Sequence, residues 1–301
     1  MTRRWLSPGI VACLSLIDCG GAPPTAVGAV AAVTPTPLGA AATCAAWAAS
    51  QRGTGVSPAI GAVIAQRQAL FDAGGGIKAV GSKYFAAQFP QGFASATRRR
   101  VLVSLHGTGG APETEWSVDW RAALSGRGWG FLGLKYVDDS TGEHDDDAVI
   151  YSNIKALLAD VRSNCDFGSS PQVFLAGFSR GSAQAFPVVY RDRLDAKVFA
   201  AAANNSGAWI IGGPLPPTLA GVQARRETSA FSGGRFWMYC GERDFEHGYP
   251  MCDEMEAARS FVLAYGGVVQ TLFRDPTGGH GGLTKNPDAL GQMMAYFEGL
   301  P

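Results

Sequence analysis

From Arg98 to the C-terminus, short apolar runs alternate with helical stretches, and this alternation restricts the chain to an α/β architecture. The runs are VLVSL (101–105), GFLGLKYV (130–137), QVFLAG (172–177), KVFAAAANNSG (197–207), RFWMYCG (235–241) and VVQTLF (268–273). Each is apolar nearly throughout, the mark of strands buried on both faces of a mostly parallel sheet. Between them, Ile150, Ile154, Leu157, Leu158 and Val161 recur at helical spacing and predict a helix that covers one sheet face. Residues 182–194 predict a second helix, bent or interrupted at Pro187. Residues 253–267 predict a third, with an acidic first turn and a glycine stop, and 286–300 a fourth. Right-handed crossovers would place helices on both faces of the sheet. Ahead of this region, KYFAAQFPQGF (83–93) is expected to add an antiparallel edge strand.

Four short segments at predicted strand ends carry the chemistry. LAGFSRGSAQAF (175–186) passes from strand to helix through G-x-S-x-G, centred on Ser179. A nucleophilic serine must project from a cramped turn, and small residues at Gly177 and Gly181 relieve that crowding. The alternative is an ordinary serine that caps the helix. FRDPTGGHGG puts His280 in a glycine-rich loop after the last strand, where it can reach back as a general base. Asp244 follows the strand RFWMYCG and is the preferred acid to orient that histidine. Glu242, Glu246, Asp253 and Asp275 compete for the role. VLVSLHGTGG (101–110) ends a strand in a flexible turn. The backbone N–H groups of Thr108 and Arg180 are the expected oxyanion donors. His106 is read as a structural residue that shapes this turn.

The order oxyanion loop, Ser, Asp, His is that of the α/β-hydrolases, distinct from the orders of other serine hydrolases. KYFAAQFPQGF…RRRVLVSLHGTGG followed by VFLAGFSRGSAQAF resembles the secreted esterases grouped with poly(3-hydroxybutyrate) depolymerases and feruloyl esterases. The resemblance covers roughly residues 78–300. It implies an α/β-hydrolase fold, ester hydrolysis through an acyl-enzyme, and no metal or organic cofactor. It also implies a triad of Ser179, Asp244 and His280, with Thr108 and Arg180 in the oxyanion hole. Two positions depart from the pattern: Arg180 stands where many relatives carry a smaller or neutral residue, and Ser182 replaces a common glycine. A serine peptidase of the same fold, or a non-catalytic envelope-binding protein on this scaffold, are the competing readings.

The first twenty residues, MTRRWLSPGIVACLSLIDCG, combine a basic start with an apolar run too short to span a bilayer. Residues 1–19 are therefore expected to be an export signal, with Cys19 a possible lipid-anchor site. Residues 20–43 are almost entirely Ala, Gly, Pro, Thr and Val, and read as a tether to a catalytic domain at 44–301. The expected location is secreted, periplasmic or cell-envelope. Cys44, Cys165, Cys240 and Cys252 then form an even set suited to two disulfides. Cys240 with Cys252 is the natural local pair, which leaves Cys44 with Cys165, although spacing alone does not settle the connectivity. No C-x-x-C spacing occurs, so a zinc site is not expected.

Basic and acidic residues each number 25, a balance that disfavours nucleic acid and anionic membranes as partners and leaves an ester, small or polymeric, as the expected one. DDSTGEHDDD (138–147) reads as a solvated loop in which Asp138 or Asp139 lines the mouth of the site. Among Trp116, Trp120 and Trp209, the last is the candidate substrate-binding residue. The Pro- and Gly-rich segment 212–234 is read as a lid, a cap or a passive loop.

Overall fold

The structure is a computed structural model and describes residues 43–301, apart from 57, 58, 60, 81, 82, 139, 140, 210–212, 246 and 247. The predicted export signal, Cys19 and nearly all of the tether lie outside the described residues, as do Asp139 and Glu246.

Eight strands form one sheet: β1 (Gly76–Val80), β2 (Lys83–Gln88), β3 (Arg100–Leu105), β4 (Gly130–Leu134), β5 (Gln172–Phe178), β6 (Phe199–Asn205), β7 (Arg235–Gly241) and β8 (Val268–Asp275). Their order is β1-β2-β4-β3-β5-β6-β7-β8. β3 to β8 are all parallel, and β2 runs antiparallel to both β1 and β4. The KYFAAQ segment is thus antiparallel as expected, but it is not the edge. β1 lies outside it, and its sequence GIKAV is too short, and too mixed by Lys78, to stand out as a strand.

Side chains alternate across the sheet as the pleat requires. Val101, Val103 and Leu105 face a core completed by α1 (Cys44–Ser50), α5 (Asp147–Asn164), α6 (Arg180–Leu194), α7 (Pro217–Arg225) and α8 (Met251–Ala264). Leu102, Phe131 and Phe174 face the other core, closed by α2 (Val63–Asp72), α4 (Arg121–Ser125) and α9 (Pro287–Gly299). Leading into α4 is a helical stretch of α3 (Pro112–Thr114) and a π-helix over Glu115–Trp120. Trp116 and Trp120 are buried there in the core.

Pro187 neither ends nor interrupts α6, which continues for 15 residues through it. An interior proline costs about 3 kcal/mol. Burying Phe186, Val188 and Val189 beside it returns roughly 1.5–3 kcal/mol per side chain, so packing prevails over propensity. Both expected disulfides are present: Cys44–Cys165 joins the start of α1 to the end of α5, and Cys240–Cys252 joins β7 to α8.

Candidate active site

The strand-to-helix turn at the carboxyl end of β5 is sterically closed. Ser179 adopts φ 52°, ψ −118°, a conformation that costs a non-glycine residue about 1–3 kcal/mol. A Cβ on Gly177 would stand 2.3 Å from the Gly181 carbonyl oxygen, and one on Gly181 would stand 2.0 Å from that of Leu105. Both glycines of the motif are therefore required by contact. A third, Gly207, was not singled out in the sequence. A Cβ there would lie 1.9 Å from the Ser179 carbonyl oxygen, because the chain leaving β6 passes directly under the elbow. The only local signal was its place after the NNS run. The Ser182 hydroxyl donates to the Gly207 carbonyl at 2.5 Å, which gives this departure from the family pattern a structural role.

Loops after β7 and β8 bring the next two residues together. His280 Nδ1 lies 2.8 Å from Asp244 Oδ2, with the carboxylate buried and the imidazole 27% exposed. A carboxylate accepts the Nδ1 proton, which leaves Nε2 as the acceptor. The Phe178 ring, next to Ser179 in the chain, sits 4.9 Å from the imidazole. The two loops are laced by backbone bonds from Glu242 N to Asp275 O and from Arg243 N to Gly278 O. Of the competing acids among the described residues, Glu242 pairs with Arg274, Asp253 stands in the first turn of α8, and Asp275 organises the histidine loop. Asp275 accepts from Tyr239, Thr277, Gly278 and Asn286. Burial raises its carboxyl, but these donors prevail and hold it at about 2.

The turn after β3 completes the edge. A Cβ on Gly107 would be 3.3 Å from the Ser179 Cβ, so this loop borders the serine. Arg180, as the first residue of α6, has no intrahelical acceptor for its N–H. Its side-chain Nε donates to Thr108 Oγ1 at 3.0 Å and ties the loop to the elbow. His106 is buried, with Nδ1 2.7 Å from the Gly107 carbonyl and its ring against Tyr136, consistent with a shaping role. Beneath the loop lies Glu115, which nothing in the local sequence EWSVDW marks as buried. Burial, with the Asp119 charge next, pushes its carboxyl up to about 8, against a 3.3 Å bond from the Ser104 hydroxyl.

A cavity of about 440 Å³ opens beside Ser179. Thr108 and Arg180 form one side, and Trp209, Leu215 and Met251 supply apolar surface. Trp209 packs edge-on against Phe186 and Phe261. Segment 213–234 is more than a passive loop: Pro214 to Pro217 line the cavity, and α7 anchors them by burying Leu219 and Val222. A larger cleft of about 700 Å³ lies at the opposite sheet edge, among Arg98, Arg99, Asp166 and Gln172, remote from Ser179.

No protein-family model matches the chain, and no curated protein matches it significantly in sequence. Solved structures do match in shape. A fungal esterase from Rhizomucor miehei superimposes with a TM-score of 0.56 at 15% identity, over 74% of this chain and 82% of that one. Est1E from Butyrivibrio proteoclasticus, also solved with ferulic acid bound, gives 0.52 at 16% identity, over 74% and 98%. An esterase from Pyrobaculum calidifontis gives 0.51 at 17% identity, over 75% and 81%. The strand order, the single antiparallel crossing at β2 and these likenesses together establish that the chain has the α/β-hydrolase fold.

Proposed function

We propose that the protein is an exported serine esterase. The observation that carries this reading is the 2.8 Å Asp244–His280 pair at the sheet edge where the strained Ser179 elbow projects. In the proposed reaction, His280 Nε2 takes the Ser179 hydroxyl proton as Oγ attacks the ester carbonyl. Asp244 holds the tautomer and stabilises the imidazolium. The Thr108 and Arg180 backbone N–H groups receive the oxyanion. His280 then protonates the leaving alcohol, and water, activated by the same imidazole, cleaves the acyl-enzyme.

The esterase neighbours and the partly apolar cavity favour esters as substrates, with Trp209 as part of the acyl-binding surface. The ferulic acid bound by Est1E makes feruloyl esters one class to try, alongside polyesters. Two disulfides suit an oxidising compartment.

The test is release of p-nitrophenol from acetate, butyrate and longer acyl esters by the parent chain and by Ser179→Ala. The variant is expected to lose about 10⁴-fold or more in kcat. Equal activity in both proteins would discard Ser179 as nucleophile, and an inactive parent chain would discard the esterase reading.

A further inference from the structure

The Arg180 side chain is exposed and lines the cavity beside Ser179. Its Nε bond to Thr108 Oγ1 holds the stem of the guanidinium and leaves the two terminal amino groups free to meet a ligand. Among the described residues, none that lines this cavity is acidic. Three acids of the neighbouring loop have other partners. Asp138 lies 4.0 Å from Lys83, Asp146 caps α5 through the Val149 N–H, and Asp147 pairs with Arg191 and Thr218. Among the described residues, no carboxylate forms an ion pair with Arg180. A guanidinium held on one nitrogen, beside Ser179 and facing a cavity with no acidic residue among the described ones, is suited to a forked bond to a carboxylate.

We propose that Arg180 makes this site selective for esters that carry a carboxylate close to the scissile bond. The proposal rests on the esterase reading and sharpens it from any carboxylic ester to an anionic one. Arg180 would then act twice, its backbone N–H toward the oxyanion and its side chain toward the charge of the substrate. The carboxylate can sit on the acyl part, as in a hemiester of a dicarboxylic acid, or on the alcohol part, as in an acylated hydroxy acid.

Two matched pairs of esters separate these sources in a pH-stat assay on the full chain. Monomethyl glutarate is compared with methyl pentanoate, and O-acetyllactate with isopropyl acetate. The expected result is a kcat/KM ratio of about tenfold or more in favour of the anionic member of one pair, the scale of a charge-assisted hydrogen bond. That pair identifies the side that bears the charge. Arg180→Gln is expected to collapse the ratio and Arg180→Lys to retain part of it. Because the readout is a ratio, a general loss of activity cancels. If either variant fails to fold, added salt must compress the ratio in the parent protein. Neutral and anionic esters cleaved equally by the parent, or a preference that survives Arg180→Gln, would overturn the proposal and leave the esterase reading intact. Hydrolysis of none of the four esters, or hydrolysis unchanged by Ser179→Ala, would overturn both.

Discussion

The loop that carries His280 and the loop after β3 each rest on a buried carboxyl group, and the two groups behave in opposite ways. Asp275 and Glu115 are 5% and 6% exposed, but Asp275 lies just below the surface and Glu115 deep in the protein, so desolvation weighs more on Glu115. Asp275 receives hydrogen bonds from two side-chain hydroxyls, two backbone N–H groups and the Asn286 amide, and is held at about 2. Glu115 has the Ser104 hydroxyl, the Trp120 indole and the Gly107 N–H near it, and faces the negative charge of Asp119. Burial therefore dominates and raises it to about 8. Desolvation penalises any buried charge, and depth and the donors supplied together decide whether the charge survives. The His280 loop is thus organised around an anion, and the loop after β3 lies over a carboxyl that burial raises toward 8. The histidine side also has a covalent brace, because Cys240 and Cys252 flank the Asp244 loop.

This contrast is open to direct attack. The largest effect is expected from Asp275→Asn, which turns an amide toward donors that need an acceptor. A loss of about 3–4 kcal/mol in stability should appear in urea unfolding at pH 7, with reduced turnover as the His280 loop loosens. The folded carboxyl titrates below its ordinary value of 3.8, so its stabilisation is present above that pH and lost as pH falls toward 2. The difference between parent and variant should shrink over that window. A difference that persists unchanged at pH 2 would remove the charge from the explanation.

Replacing Cys240 and Cys252 together by serine opens a bridge between residues 12 apart. The expected cost is about 3 kcal/mol, read from the same unfolding curves, and no change would show that hydrogen bonds alone hold the Asp244 loop. Glu115→Gln should have the opposite sign. The folded carboxyl binds its proton more tightly than the ordinary group at 4.5, so stability is greatest below 4.5 and falls as pH rises toward 8. The amide removes that slope. A gain on the order of 3 kcal/mol at pH 7, vanishing below pH 4.5, is the expected outcome of thermal unfolding across pH. A destabilised variant at pH 7 would mean that Glu115 is held as an anion, and the contrast with Asp275 would fail.

Much of the scaffold is legible residue by residue. Strands β3 to β8 announce themselves because each is a nearly unbroken apolar run. β1 does not, because Lys78 and the flanking glycines make GIKAV look like a turn. The strand-end positions of Ser179, Asp244 and His280 are visible from local glycine and strand patterns. The role of Gly207 is invisible because its reason is a contact with Ser179, 28 positions earlier in the chain. Pro187 misleads in part for the same reason: a local rule predicts a bend or an interruption, and packing partners keep the helix continuous.

By itself, then, the sequence determined which elements form and which chemical groups stand at their ends, because periodicity, capping and glycine tolerance act over a few residues. Only the tertiary structure decided the partners. It brought β2 inside the sheet, joined Cys44 to Cys165 across 121 positions, and set Asp244 against His280. It also sent the pKa values of Asp275 and Glu115 in opposite directions. Each of these depends on the number and kind of atoms that distant segments bring within a few ångströms, a quantity that no local stretch of sequence contains.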